Sequence, residues 1–317
     1  MSRPEVHKSF ILTLAYTLLL FLAGIAIPLV GILLIPLVPQ PVLAFGIKYG
    51  KDYGVRVLLV ATLLIFFLGG KELALSYSLL ALMIVLLFFY FGGGWSIEKV
   101  VAGTGGGMLA AVVAVLWIFF GSLSNLQQVI REGLNENLEM SLEVYEKIGF
   151  SKEGLEILQE RVPQIIDVIL QILPALAFVS FVTVILINLF FLYRRFPDRR
   201  SFFASTGDLR EWKSPEFLVW CFIISGIVLL LPGWEYLKIL ALNLFLVIAV
   251  SYFLQGLAIV SYYFHHKNVP LFLRSLAYVL IALEQIITLF VVGLGLFDLW
   301  GDFRRLNKKD LNPSQVS

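Results

Sequence analysis

LALSYSLLALMIVLLFFYF, residues 73–91, contains no charged side chain and no regular alternation of polar with apolar residues. At about 1.5 Å of rise per residue, a helix of this length spans about 30 Å, the thickness of a bilayer's hydrocarbon core. Lipid offers no hydrogen-bond partner, so a helix, which satisfies its own backbone, is the conformation this stretch can hold there. Eight more apolar runs surround it, at 9–27, 29–47, 55–68, 100–120, 165–193, 217–231, 237–264 and 271–299. The fold class expected is therefore all-α, a polytopic transmembrane helical bundle of about eight to ten membrane segments.

Composition supports the same reading. Of 317 residues, 59% are hydrophobic and 15% charged, against about 45–50% and about 25% in soluble globular chains. The excess apolar surface has to face lipid. A formal net charge of +2 gives no basic face on which nucleic acid would bind. A single cysteine, Cys221, excludes an internal disulfide. The first run follows Arg3 and Lys8 with no cleavage site after it, and it reads as a retained signal anchor.

Lys and Arg in short loops mark the cytoplasmic side of a bacterial inner membrane. With the N-terminus inside, crossing at every run keeps Lys48, Lys51, Arg56, Lys99 and the cluster from Arg194 to Lys213 inside, and puts the polar segment 122–164 outside. The chain then divides into N-terminal helices 1–121, an extracytoplasmic amphipathic segment 122–164, C-terminal helices 165–300 and a cytoplasmic tail 301–317. Within the external segment Leu126, Ile130, Leu134, Leu138 and Leu142 recur every four residues and make one apolar helix face. Run 271–299 is too long for one perpendicular crossing and too short for two. Glu284 and Gln285 at its midpoint predict a broken or re-entrant pair that returns the tail, with Arg304, Arg305, Lys308 and Lys309, to the inside.

Polar and helix-breaking residues inside the runs are the candidate substrate-binding positions. Pro28 precedes the second run and Pro36, Pro39 and Pro41 interrupt it, each withholding an N–H from the carbonyl four residues earlier, and Gln40 is the polar side chain among them. Asn188, Asn243, Gln255 and Glu284 are the groups least able to reach water, Glu284 reading either as a proton or ligand site or as a structural contact with Gln255 or Asn243; Arg274 and Asp298 are near enough to span ends to snorkel. The string Gly103, Gly105, Gly106, Gly107 lacks the Lys–Ser/Thr of a phosphate loop and reads as helix packing. No catalytic constellation, metal-ligand spacing or cofactor fingerprint is present, so no enzyme activity, metal or cofactor is expected.

The stretches PQPVLAFGIKYGKDYG (39–54) and LQGLAIVSYYF (254–264), and above all GLGLFDLWGDFRRL (293–306), resemble the YybS-like family of bacterial membrane proteins. Gly295, Asp298, Asp302, Arg304 and Arg305 carry its closing motif. That resemblance implies a multi-pass architecture rather than a reaction. The first six runs are also similar, at the level of fold, to the substrate-binding S component of energy-coupling-factor transporters. This likeness implies that residues 28–40 form a gate over an external ligand, although the first helix lacks a clear Ala-x-x-x-Ala docking face. Two functions follow: a small-solute binding or transport protein, or a non-transporting scaffold for envelope or signalling partners. The expected partners are the lipid bilayer, a small molecule of unknown identity and another membrane or cytoplasmic protein.

Overall fold

The computed structural model describes residues 3–147, 149, 151–203 and 208–305. Residues 306–317, which include Leu306 of the closing motif, Lys308 and Lys309, lie outside the described residues. Twelve α-helices are present among those described, and no strand. They are α1 Arg3–Ala26, α2 Pro28–Leu34, α3 Pro39–Tyr49, α4 Lys51–Tyr90, α5 Ile97–Phe120, α6 Leu123–Lys147, α7 Lys152–Arg195, α8 Arg200–Phe203, α9 Leu218–Leu230, α10 Glu235–His266, α11 Leu271–Leu283 and α12 Gln285–Gly301. Six stretches are long and apolar enough to cross a bilayer, and the pair α11–α12 qualifies together.

The chain packs into two compact units, each built from two stretches: Met1–Leu126 with Ala177–Thr206, and Gln127–Leu176 with Gly207–Ser317. The last part of α7 belongs to the first unit and its beginning to the second.

In the first unit α4 is one helix only in hydrogen-bond pattern. Gly70 has φ 77°, a left-handed conformation that breaks a 40-residue helix at its middle. The halves fold back on one another. Lys51 donates its ammonium to the Phe91 carbonyl, and a Cβ on Gly54 would stand 2.7 Å from the Phe88 ring, contacts that a straight helix could not make. Runs 55–68 and 73–91 are therefore separate membrane segments. With α1, the broken 28–49 segment, α5 and the end of α7, they give this unit six.

Contacts also gather the basic loops of the first unit at one end. Ser9 Oγ meets Tyr49 Oη at 2.9 Å, and Gly92 N donates to the Phe202 carbonyl at 2.7 Å. Aromatic rings sit under the cations there: Lys48 over Tyr49, Lys51 over Phe202, Arg56 over Tyr53, Lys99 over Trp95 and Arg194 over Phe190. The α1–α2 turn and the Gly70 turn, which carries Lys71 and Glu72, lie at the opposite end.

In the second unit α11 and α12 meet at Glu284 with a bend of 102°. The turn is local in origin: Glu284 is extended at φ −98° and ψ 110°, and Thr288 Oγ1 caps the Ile281 carbonyl at 2.5 Å. α12 then runs back beside α10, so that Tyr263 Oη donates to the Phe303 carbonyl at 2.7 Å, close to where α11 began. The broken C-terminal pair expected from Glu284 is what the helices form. Lys267→Cys and Arg305→Cys, each in a Cys221→Ser background, are expected to react with an impermeant maleimide from the same side of the membrane; labelling from opposite sides would exclude a returning pair.

Candidate functional site

Three polar clusters inside the helices account for most of the candidate residues, and each repairs or braces a break in the backbone.

The first belongs to the first unit. Pro36 lies in a 3-10 turn, Ile35–Leu37, between α2 and α3. Fully buried Asn188 of α7 donates its amide to the Pro36 carbonyl at 2.9 Å and to the Val184 carbonyl at 2.7 Å. Gln40 Nε2 in turn donates to the Asn188 carbonyl at 2.7 Å and to its Oδ1 at 3.0 Å. Buried Pro39 opens α3. Pro28 opens α2, its side chain lying outside the described residues. Four of the eight substrate-binding candidates thus share one neighbourhood, with Pro28 at the far end of α2.

Two apolar grooves flank this break. One, of about 450 Å³, is lined by Gly24, Ile25, Gly31, Ile32, Ile35 and Pro36. The other, of about 510 Å³, lies between Ile32, Leu33, Pro36 and Leu37 on one wall and Leu186, Ile187, Phe190 and Phe191 on the other. Ile32 and Pro36 form the ridge shared by both. Two carbonyls at the first groove lack their usual donors, because Pro28 has no N–H for Gly24 and Pro36 none for Ile32. Gly31 packs so tightly on the Gly24 carbonyl that a Cβ there would overlap it.

The second cluster repairs α7 within the second unit. Pro174 interrupts the helix, and the Asn243 amide of α10 takes the place of the missing turn: Ala175 N donates to Asn243 Oδ1 at 2.8 Å, and Asn243 Nδ2 to the Gln171 carbonyl at 2.7 Å. A side-chain amide presents one donor and one acceptor, as a peptide does, and so bridges the pair Gln171–Ala175 that a regular helix would join directly.

The third is the most buried. Asp298 of α12 and Arg304 form an ion pair at 2.7 Å with no exposure of either side chain. Asp298 also accepts from Phe303 N at 2.9 Å and Gln255 Nε2 at 3.2 Å. Arg304 Nη1 donates to the carbonyls of Arg210 at 2.7 Å and Trp212 at 3.0 Å, and Ser214 N donates to Gln255 Oε1 at 3.0 Å. The pair therefore clamps loop 208–214 onto α10 and α12. At the loop's start, the Arg210 side chain hydrogen-bonded to Asp208 holds that carboxyl below its usual range. Asp302 turns the chain with φ 37° and pairs with Lys213 at 3.3 Å, while Arg305 is exposed.

Asp298 departs from the expectation that it would snorkel. Arg304, six residues on, reaches back over it, which makes burial of the carboxylate tolerable. Glu284 meets neither Gln255 nor Asn243, whose amides are engaged in the clusters above, and is exposed at the α11–α12 bend. Three of the four α5 glycines pack as expected: a Cβ on Gly103 would overlap the Tyr90 hydroxyl, one on Gly105 would stand 3.2 Å from the Phe178 ring and one on Gly107 3.1 Å from Leu86, whereas one on Gly106 would meet nothing within 4 Å. Ser214, the Arg210 and Trp212 carbonyls and the groove wall on α7 were not singled out from sequence. A hint of that wall is the pair Phe190–Phe191 standing just ahead of Leu192, Tyr193, Arg194 and Arg195.

A family model described as "Predicted membrane protein (DUF2232)" matches residues 15–299. The chain belongs to this family. The match takes in the first two clusters and, of the third, all but Asp302, Phe303 and Arg304, and it carries the membrane assignment without a reaction. No curated protein and no solved structure matches the chain.

Proposed function

We propose that this member of the family is a small-solute binding or transport protein of the bacterial inner membrane, its N-terminus and basic end in the cytoplasm, receiving its solute in the groove at the proline break. One observation supports this most. The groove of Gly24, Ile25, Gly31, Ile32, Ile35 and Pro36 is walled by two residues whose carbonyls are deprived of helical donors, at the end of the first unit away from its basic loops. Freed backbone acceptors at a break in a membrane helix are a recurrent means of holding solutes. Six membrane segments and a break at 28–40 also agree with the S-component likeness. Such a lining suits a solute with an apolar body and one or two N–H or O–H donors.

Ile25→Trp fills that groove from a position 38% exposed, leaving the buried core alone. Protein purified in detergent and extracted for mass spectrometry is expected to release a small molecule that I25W retains about tenfold less, with both proteins unfolding at the same temperature. Identical extracts would overturn the solute reading. The scaffold reading would then stand, supported by the ion-pair clamp that holds loop 208–214 as a rigid docking surface.

A further inference from the structure

The second groove points to a different occupant. Its α7 wall, from Leu186 to Phe191, ends one turn before Arg194 and Arg195, both exposed at the basic end of the first unit. The Arg194 guanidinium lies 5.1 Å from the centre of the Phe190 ring, so a cation caps a residue that lines the groove. From Arg195 back to Leu186 the helix descends about 14 Å, close to half of a hydrocarbon core about 30 Å thick. The groove therefore has the depth of one leaflet. Its lining is aliphatic and aromatic, with Leu33 71%, Phe190 49% and Phe191 43% exposed.

From this geometry we infer that the groove between α2 and α7 is a docking site for one anionic phospholipid, its phosphate at Arg194 and Arg195 and an acyl chain against Leu33, Leu37, Ile187 and Phe190. Charge, depth and lining agree on that molecule. A zwitterionic lipid would fill the groove equally well but gain less from the two arginines. Each basic side chain near a membrane surface favours an anionic lipid, so two together support a preference of about tenfold after screening. The Gln40–Asn188 cluster gives the site its shape, since the Pro36 carbonyl it holds belongs to the ridge.

The test is native mass spectrometry of the full-length, delipidated protein in detergent, offered equal amounts of dioleoyl phosphatidylglycerol and dioleoyl phosphatidylcholine. Wild type is expected to retain one phosphatidylglycerol with about tenfold preference. Arg194→Gln with Arg195→Gln should reduce the preference to less than about twofold, and Leu33→Trp should abolish retention of either lipid. Because all three positions are exposed, unchanged thermal unfolding verifies the fold. Ile25→Trp, on the other side of the ridge, should leave the preference intact, so the solute reading and this one fail separately. Wild-type preference in the double glutamine variant would overturn the inference, as would displacement of the lipid by glycerol phosphate alone, which would mark a phosphate site without an acyl groove.

Discussion

Asp298→Ala is expected to destabilise the second unit by about 3–5 kcal/mol, because it leaves the Arg304 guanidinium buried without its counter-charge. Three donors lose their acceptor at once: Arg304 Nη2, Gln255 Nε2 and Phe303 N. Arg304 cannot easily withdraw to water, since its Nη1 holds the carbonyls of Arg210 and Trp212. Against a typical total stability of about 5–15 kcal/mol, a loss of this size should lower the unfolding temperature markedly in detergent. It should also free loop 208–214, read as faster maleimide labelling of Lys213→Cys in a Cys221→Ser background. The double change Asp298→Leu with Arg304→Met removes both charges and fills similar volume. It is expected to recover much of the stability but not the ordering of the loop, because Met cannot bond the two carbonyls. A D298A protein as stable as wild type would show that the pair is not the clamp described.

Why the membrane segments could be read from sequence while the clamp could not is a matter of range. A span is a local property, fixed by consecutive aliphatic side chains and the absence of water, and 73–91 carries that information by itself. The break at 284 was equally local, since a carboxylate and an amide at the middle of 271–299 leave a continuous helix poorly placed. The Gly70 turn emerges from the same ruler, two runs on either side of Gly69, Gly70, Lys71 and Glu72. Partnerships are different. Asn243 and Pro174 lie 69 positions apart, and nothing in either neighbourhood shows that one amide substitutes for a peptide in the other helix. Asp298 looked like a residue at a span end with a route to water, and only the return of Arg304 makes it buried. Grooves are less legible still. Ile32, Leu33 and Phe190 look like any lipid-facing residue in sequence, and a groove between two elements depends on how far apart their backbones stand.

Gly295→Ala is expected to be almost as damaging as loss of the ion pair, and the reason is backbone contact. A Cβ on Gly295 would overlap the Tyr252 carbonyl oxygen and lie 2.9 Å from Gly256 N; one on Gly256 would overlap the Val291 carbonyl and lie 2.7 Å from its side chain. α10 and α12 thus cross with each glycine set into the other helix's main chain, as small residues permit in membranes. No rotamer change relieves such a clash, so the helices must separate. Separation withdraws Tyr252 and Ile248 from their packing and lengthens the Gln255–Asp298 bond that depends on the same crossing. Overpacking costs about 1–3 kcal/mol, and a clash against backbone belongs at the upper end. Gly293 supplies the control two residues away, because a Cβ there meets nothing within 4 Å. Gly293→Ala should be neutral or slightly stabilising, as helix propensity favours alanine over glycine by up to about 1 kcal/mol. The double variant Gly256→Ala with Gly295→Ala should cost less than the sum of the single changes, because helices already parted by one methyl accommodate the second. Thermal unfolding in a single detergent measures all four proteins. Equal unfolding temperatures for G293A and G295A would refute the close crossing on which the clamp and the α12 return both depend.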